Sequence, residues 1–195
     1  MIIPSGSFTG NYEASAACDL TEARLVVAHE FGTPKPKNLL SDVAELRYGA
    51  ANVALAEFIA DRAWPLPVYG AEFVTGALAD KGVEVAAQLE KTQSNILGTQ
   101  GGTWEELRQA TDHFKQQFAV DSRDEEELAV LHVGVAHHIS RIARQSARMG
   151  LRPLLPPSLP LMFDRQSDQI WTRNKPLWRV REAVGHTILL LSGRM

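Results

Sequence analysis

The sequence predicts an α/β protein: a three-layer sandwich of about five mostly parallel strands, with helices on both faces. Three observations predict it. Short apolar runs rich in Val and Leu alternate with amphipathic stretches of helical period. Gly and Pro punctuate the junctions between them. The clearest run, Leu128 to Val135, stops just before His137-His138 and passes directly into a segment carrying Arg141, Arg144 and Arg148. A buried strand feeding a helix reads this way.

Residues 1–20 scatter Pro, Gly, Ser and Asn without a period and read as an N-terminal arm; residues 21–195 read as a single domain. Arg24 to His29 is the first strand, and the Pro- and Lys-bearing stretch from Gly32 to Asn38 is a loop. Ser41 to Arg62 reads as a helix capped by Ser41, with Val43, Leu46, Ala50, Val53 and Ile59 on one face. Leu66 to Tyr69 is a second strand. A short helix from Ala71 to Asp80 ends at Lys81-Gly82, a glycine C-cap.

Val83 to Leu89 is the third strand, and the polar Gln93 to Gly102 stretch a loop. Thr103-Trp-Glu-Glu106 reads as a capping box opening a helix that runs to Phe118. Asp121 to Glu127 is an acidic turn before the fourth strand. The helix from His138 closes at Gly150, and Leu151 to Leu155 is the fifth strand. Pro156 to Pro160 is a rigid connection, and Leu159, Leu161 and Phe163 of the apolar Pro156 to Phe163 segment suit core packing or a partner surface. Pro176 opens the last helix, whose apolar stripe is Leu177, Val180, Val184, Ile188 and Leu191.

Composition excludes several classes. With 45% hydrophobic residues in 195, the chain can build one full core. A net charge of −3 argues against a nucleic-acid binder, which needs a basic face. Cys18 is the sole cysteine, so an internal disulfide and a cysteine zinc cluster are excluded. No run approaches the roughly 20 apolar residues of a membrane span, and no signal peptide stands at the N-terminus. A cytoplasmic protein is the expectation.

Ligands of such folds bind beyond the carboxyl ends of the strands. That selects His29, Glu30, Phe31 and Gly32; Tyr69 and Gly70; Glu90 to Asn95; and His137, His138 and Arg141. His29-Glu30 lacks the second histidine of a zinc-protease helix. Adjacent His137 and His138 point in different directions, so they do not serve one metal together, and no metal is expected. P-loop, dinucleotide and nucleophile-elbow motifs are absent. Gly101-Gly102 before a helix could cradle an anion, although a plain loop explains it as well. His138 and Arg141 make the strongest local case: an arginine one turn into a helix can fork onto a phosphate or carboxylate at its start.

The order of these pieces resembles the ElyC/SanA/YdcF family, a domain class of largely undefined biochemistry. The carriers are Leu25-Val-Val-Ala-His-Glu-Phe-Gly32, Arg47 in the first helix, Gly82-Val83 leading to Glu90, Thr103-Trp-Glu105-Glu106, His137-His138-Ile-Ser-Arg141 and Arg181-Glu182 after Trp178. The likeness runs from about Arg24 to Arg194. Tyr69-Gly70-Ala71 stands where the family has Ser-Gly-Gly, Gln93-Ser94-Asn95 is displaced upstream of the cap, and His29-Glu30 replaces a Gly-rich pair.

The resemblance implies a Rossmann-like domain with a polar cleft, links to envelope metabolism and a nucleotide-like ligand. The expected function is therefore small-molecule binding, with or without catalysis, of an anionic, nucleotide-like or phosphate-like ligand. Glu30, Glu90 and His138 are the expected catalytic groups. His29, Gly32, Tyr69, Thr103, His137 and Arg141 are the expected ligand contacts. The alternative is a non-enzymatic interaction protein that kept the fold and lost the chemistry. A homo-oligomer is compatible with either.

Overall fold

The computed structural model describes residues 20–62, 65–90, 102–119, 128–156, 158–160 and 162–191. Five parallel strands form one sheet: β1 (Leu25–Ala28), β2 (Val68–Ala71), β3 (Ala87–Leu89), β4 (Ala129–Val133) and β5 (Arg152–Leu154). Their spatial order is β3-β2-β1-β4-β5. β1 lies between β2 and β4, with Val27 opposite Tyr69 on one side and His132 on the other. The chain winds outward from β1 to β3, then returns to lay β4 against β1 and winds the other way. The direction reverses between β1 and β4, which is where a crevice opens in doubly wound sheets.

The helices are α1 (Ala50–Arg62), α2 (Glu72–Asp80), α3 (Thr103–Phe118), α4 (Ala136–Arg148) and α5 (Lys175–Leu191). Alternation along the strands separates two cores. Val26, Ala28, Leu131 and Val133 pack with Leu55 and Ile59 of α1 and Leu78 of α2. Leu25, Val27, Tyr69 and Val130 pack with Leu107 and Phe114 of α3. Every residue of β1, β2 and β4 is buried, as expected of strands covered on both faces. This is the three-layer sandwich that the sequence predicts.

The differences lie at element ends. The helix expected from Ser41 begins at a π turn over Glu45–Gly49, and Ser41 instead accepts from the backbone of Val43, which is itself exposed. Gly49 has φ +87° at the joint between π turn and α1, and a Cβ there would lie 2.9 Å from Asp164 Oδ2. The third strand is three residues long and starts at Ala87. The capping box at Thr103 does not form: Gly102 is the N-cap, Thr103 is already helical, and Glu106 turns away to a histidine.

The described part of the stripe expected on the last helix faces outward. Leu177, Val180 and Val184 are exposed, while Trp178 is the residue buried against the core. The period was right and the buried face was not, because one large indole anchors the helix. Leu159 and Phe163 pack against the first core. Residues 1–19, 63–64, 91–101, 120–127, 157, 161 and 192–195 lie outside the described residues, as do the side chains of Ile188 and Leu191. With them lie nearly all of the arm expected over 1–20, the loop expected from Gln93 to Gly102 and the acidic turn expected from Asp121 to Glu127. No helix among the described residues is long and apolar enough to cross a membrane.

Candidate functional site

The sheet's reversal point holds a buried polar network fed by five elements. His29 follows the last residue of β1, and His132 lies within β4. Thr103 and Glu106 sit in the first turn of α3. His138, Arg141 and Ser146 share α4, and Glu182 comes from α5. Pleating puts His132 on the α3–α4 face, since its neighbours Leu131 and Val133 face the other core. His29 and His132 then meet side by side, their rings 5.4 Å apart.

One branch is a chain of four groups. Glu106 Oε2 lies 3.1 Å from His29 Nδ1. His29 Nε2 lies 3.2 Å from His132 Nδ1. His132 Nε2 lies 2.9 Å from Ser146 Oγ. Burial, then the neighbouring His29, holds His132 well below the usual histidine range, so it is neutral at pH 7. One assignment satisfies every atom: His29 donates to the carboxylate, His132 to His29, and the serine hydroxyl to His132. Ser146 is fully buried in the last turn of α4, which rules it out as a nucleophile for an outside substrate.

The second branch surrounds an arginine. Arg141 NH2 lies 3.0 Å from His138 Nδ1, and Thr103 Oγ1 lies 3.4 Å from His138 Nε2. His138 is buried, stands edge-on to Trp178 and is held well below the usual range by burial, then by Arg141 and Arg181. Neutral, it accepts from the guanidinium. Arg141 itself is drawn down to about 10 by burial, against the opposing pull of Glu182, and so stays charged at neutral pH. Glu182 Oε2 is 3.3 Å from Arg141 Nε, while Glu182 Oε1 accepts from Arg181 NH1 at 3.2 Å. The Arg141 Nε–H is buried and makes no hydrogen bond among the described residues, so at that atom the pair is purely coulombic.

Of the residues singled out from sequence, His29, Thr103, His138 and Arg141 come together here. The others lie in different surroundings. Glu30 Oε2 accepts from the backbone of Phe73 at the start of α2. Glu90 is exposed, with its backbone clasped by the Gln109 amide. Tyr69 is fully buried beneath α3, its hydroxyl donating to Gln117. His137 stacks on Phe163, ring centroids 4.7 Å apart, and is lowered by burial and by Lys175 and Arg179. Gly32 has φ +81° and abuts Ser167, a backbone position rather than a ligand surface.

Glu106, His132 and Glu182 were not singled out as site residues. His132 carried a signal: a histidine inside a Val/Leu strand must find buried partners. Glu182 stood in the Arg181-Glu182 pair, and Glu106 was explained by the capping box that does not form. No group of three or more His, Cys, Asp or Glu suited to a metal ion exists among the described residues. A cavity of about 260 Å³ lies elsewhere, between the π turn and residues 162–166. Comparison with family models, with curated proteins and with solved structures gave no match.

Proposed function

We propose that this chain binds a small anionic ligand, phosphate-bearing or nucleotide-like, at the reversal point between β1 and β4. One observation carries the reading: His29, Thr103, His138 and Arg141, brought from three separate stretches of chain, lie in two neighbouring buried polar chains at the carboxyl end of the sheet, which feel each other's charge through His29 on His138 and Glu106 on Arg141. Arg141 supplies the fixed positive fork, and Thr103 and neutral His138 supply polar contacts beside it. The Glu106–His29 pair, open to solvent on the glutamate side, is suited to accept a proton if the ligand is also a substrate. The resemblance to the ElyC/SanA/YdcF family, with its link to envelope metabolism, belongs to the same proposal, as does a cytoplasmic location.

The test is a thermal-shift screen against inorganic phosphate, nucleotides and sugar phosphates. A ligand that binds only the native state raises apparent stability by mass action. The expected result is a shift in the wild type that Arg141→Ala abolishes while retaining its circular dichroism spectrum. An equal shift in both proteins refutes the assignment.

A second reading, a non-enzymatic interaction protein, is favoured by one feature. Trp178 and Glu182 of α5 fill the crevice, and the opposite face of that helix leaves Leu177, Val180 and Val184 exposed. Absence of any small-molecule shift, together with self-association or capture of a defined partner lost in Val180→Asp, would select it.

A further inference from the structure

Glu182 is an awkward partner for the groups around it. It brings one negative charge to two guanidinium groups, Arg141 and Arg181. His138, packed in the same place, is neutral and adds no counter-charge. The carboxylate is planar with two oxygens. One takes a hydrogen bond from Arg181, and the other sits 3.3 Å from Arg141 Nε without aligning on it. A buried arginine N–H left without an acceptor is an expensive arrangement, because its desolvation is uncompensated. The other acid whose charge acts on Arg141, Glu106, is engaged by His29. The Arg181 guanidinium carbon lies 5.3 Å from the Trp178 ring centre and 5.8 Å from that of Trp171, so two indoles hold it beside Glu182. Glu182 and Arg181 are both partly open to solvent, so an outside anion can reach them.

Resting on the reading above, we propose that Glu182 is an internal stand-in for the ligand's anion, and that the ligand class is a phosphate monoester or free phosphate dianion. The dianion displaces the Glu182 side chain while Trp178 keeps α5 anchored. It balances both guanidinium groups, and its third terminal oxygen reaches the side of Thr103 and His138, where a carboxylate has none to offer. Arg181 becomes a ligand-binding residue and Glu182 sets the affinity from within.

Phosphate affinity is measured by isothermal titration of the full chain at constant ionic strength. Wild type, Glu182→Gln, Glu182→Asp, Arg181→Gln and Arg141→Gln are compared. Removing the competing charge in Glu182→Gln tightens inorganic phosphate binding by about tenfold, and Arg181→Gln weakens it by about tenfold. Arg141→Gln abolishes it. Glu182→Asp, which keeps the charge but withdraws it, falls between wild type and Glu182→Gln and decides the matter should the latter not fold. Arg141-dependent binding in the wild type that is unchanged or weakened in the Glu182 variants overturns the stand-in and leaves the anion site standing. No phosphate binding in either wild type or the Glu182 variants overturns both.

Discussion

Two buried polar clusters flank the end of β1, and they are built on opposite logic. Beside Gly32, Asn52 accepts from the backbone of Phe31 and donates to the carbonyls of Gly32 and Tyr48. Ser167 accepts from the N–H of Thr33 and donates to its carbonyl. Asp164 accepts backbone N–H groups of Gln166, Ser167 and Ala50; burial pushes its carboxyl up while these bonds pull it down. Here side chains serve the backbone, and their purpose is to hold a loop. On the other flank, Glu106, His29 and His132 bond in one chain, and His138 bonds to Arg141, which Glu182 faces as a counter-charge. Here ionisable groups partner each other rather than peptide groups, the arrangement on which the proposed ligand site rests. The comparison teaches that burial and polarity alone do not find a site; the identity of the partners does.

The comparison can be broken in four ways, taken from the largest effect down. Asn52→Ala strands the buried Phe31 N–H and the Gly32 carbonyl, and should lower stability by about 3 kcal/mol in urea unfolding. A loss below about 0.5 kcal/mol would mean the loop is held by something else. Gly32→Ala forces a Cβ at φ +81° to within 2.9 Å of Ser167 Oγ and should lower stability by about 2 kcal/mol.

The site cluster should instead be read out by pH. His132 and His138 have folded values depressed below the unfolded 6.5, so the unfolded chain binds more protons just below that pH. Their contribution is complete above 6.5 and is lost as pH falls through the window beneath it, at about 1.4 kcal/mol per pH unit for each histidine. Replacing His138 with Gln should lower that slope by about 1.4 kcal/mol per pH unit, leaving the share of His132 and of the less depressed His137, and a slope unaltered in the variant would place the titration elsewhere.

The smallest effect concerns Gln145, whose buried side-chain oxygen has no hydrogen bond among the described residues. Gln145→Met should be neutral or stabilise by up to about 1 kcal/mol, since it removes an uncompensated acceptor at similar volume. Clear destabilisation would show that the oxygen has a partner.

Much of the fold was legible, and for a physical reason. Strands buried on both faces must be nearly continuous apolar runs, as in Leu25-Val-Val-Ala28 and Ala129-Val-Leu-His-Val133. Helix ends were marked by Gly82 and Gly150, both at positive φ. Of the site, His138 and Arg141 could be read because the strand-to-helix junction is local. Glu106 could not, since a capping box and a cross-sheet histidine partner demand the same Thr-x-x-Glu letters. The outward turn of the α5 stripe was equally hidden: a helical period fixes which residues share a face, not which face the rest of the protein covers.

By itself, then, the chain determined the layer architecture and the two strand exits at which buried polar groups gather, because hydrophobic period and helix punctuation act over a few neighbouring residues. Only the tertiary structure decided that His29 meets His132 and Glu106, that Glu182 rests on Arg141, and that Glu30, Glu90 and Tyr69 have other partners. Those pairings join residues far apart in sequence, and strand order and helix docking alone bring them within hydrogen-bond reach.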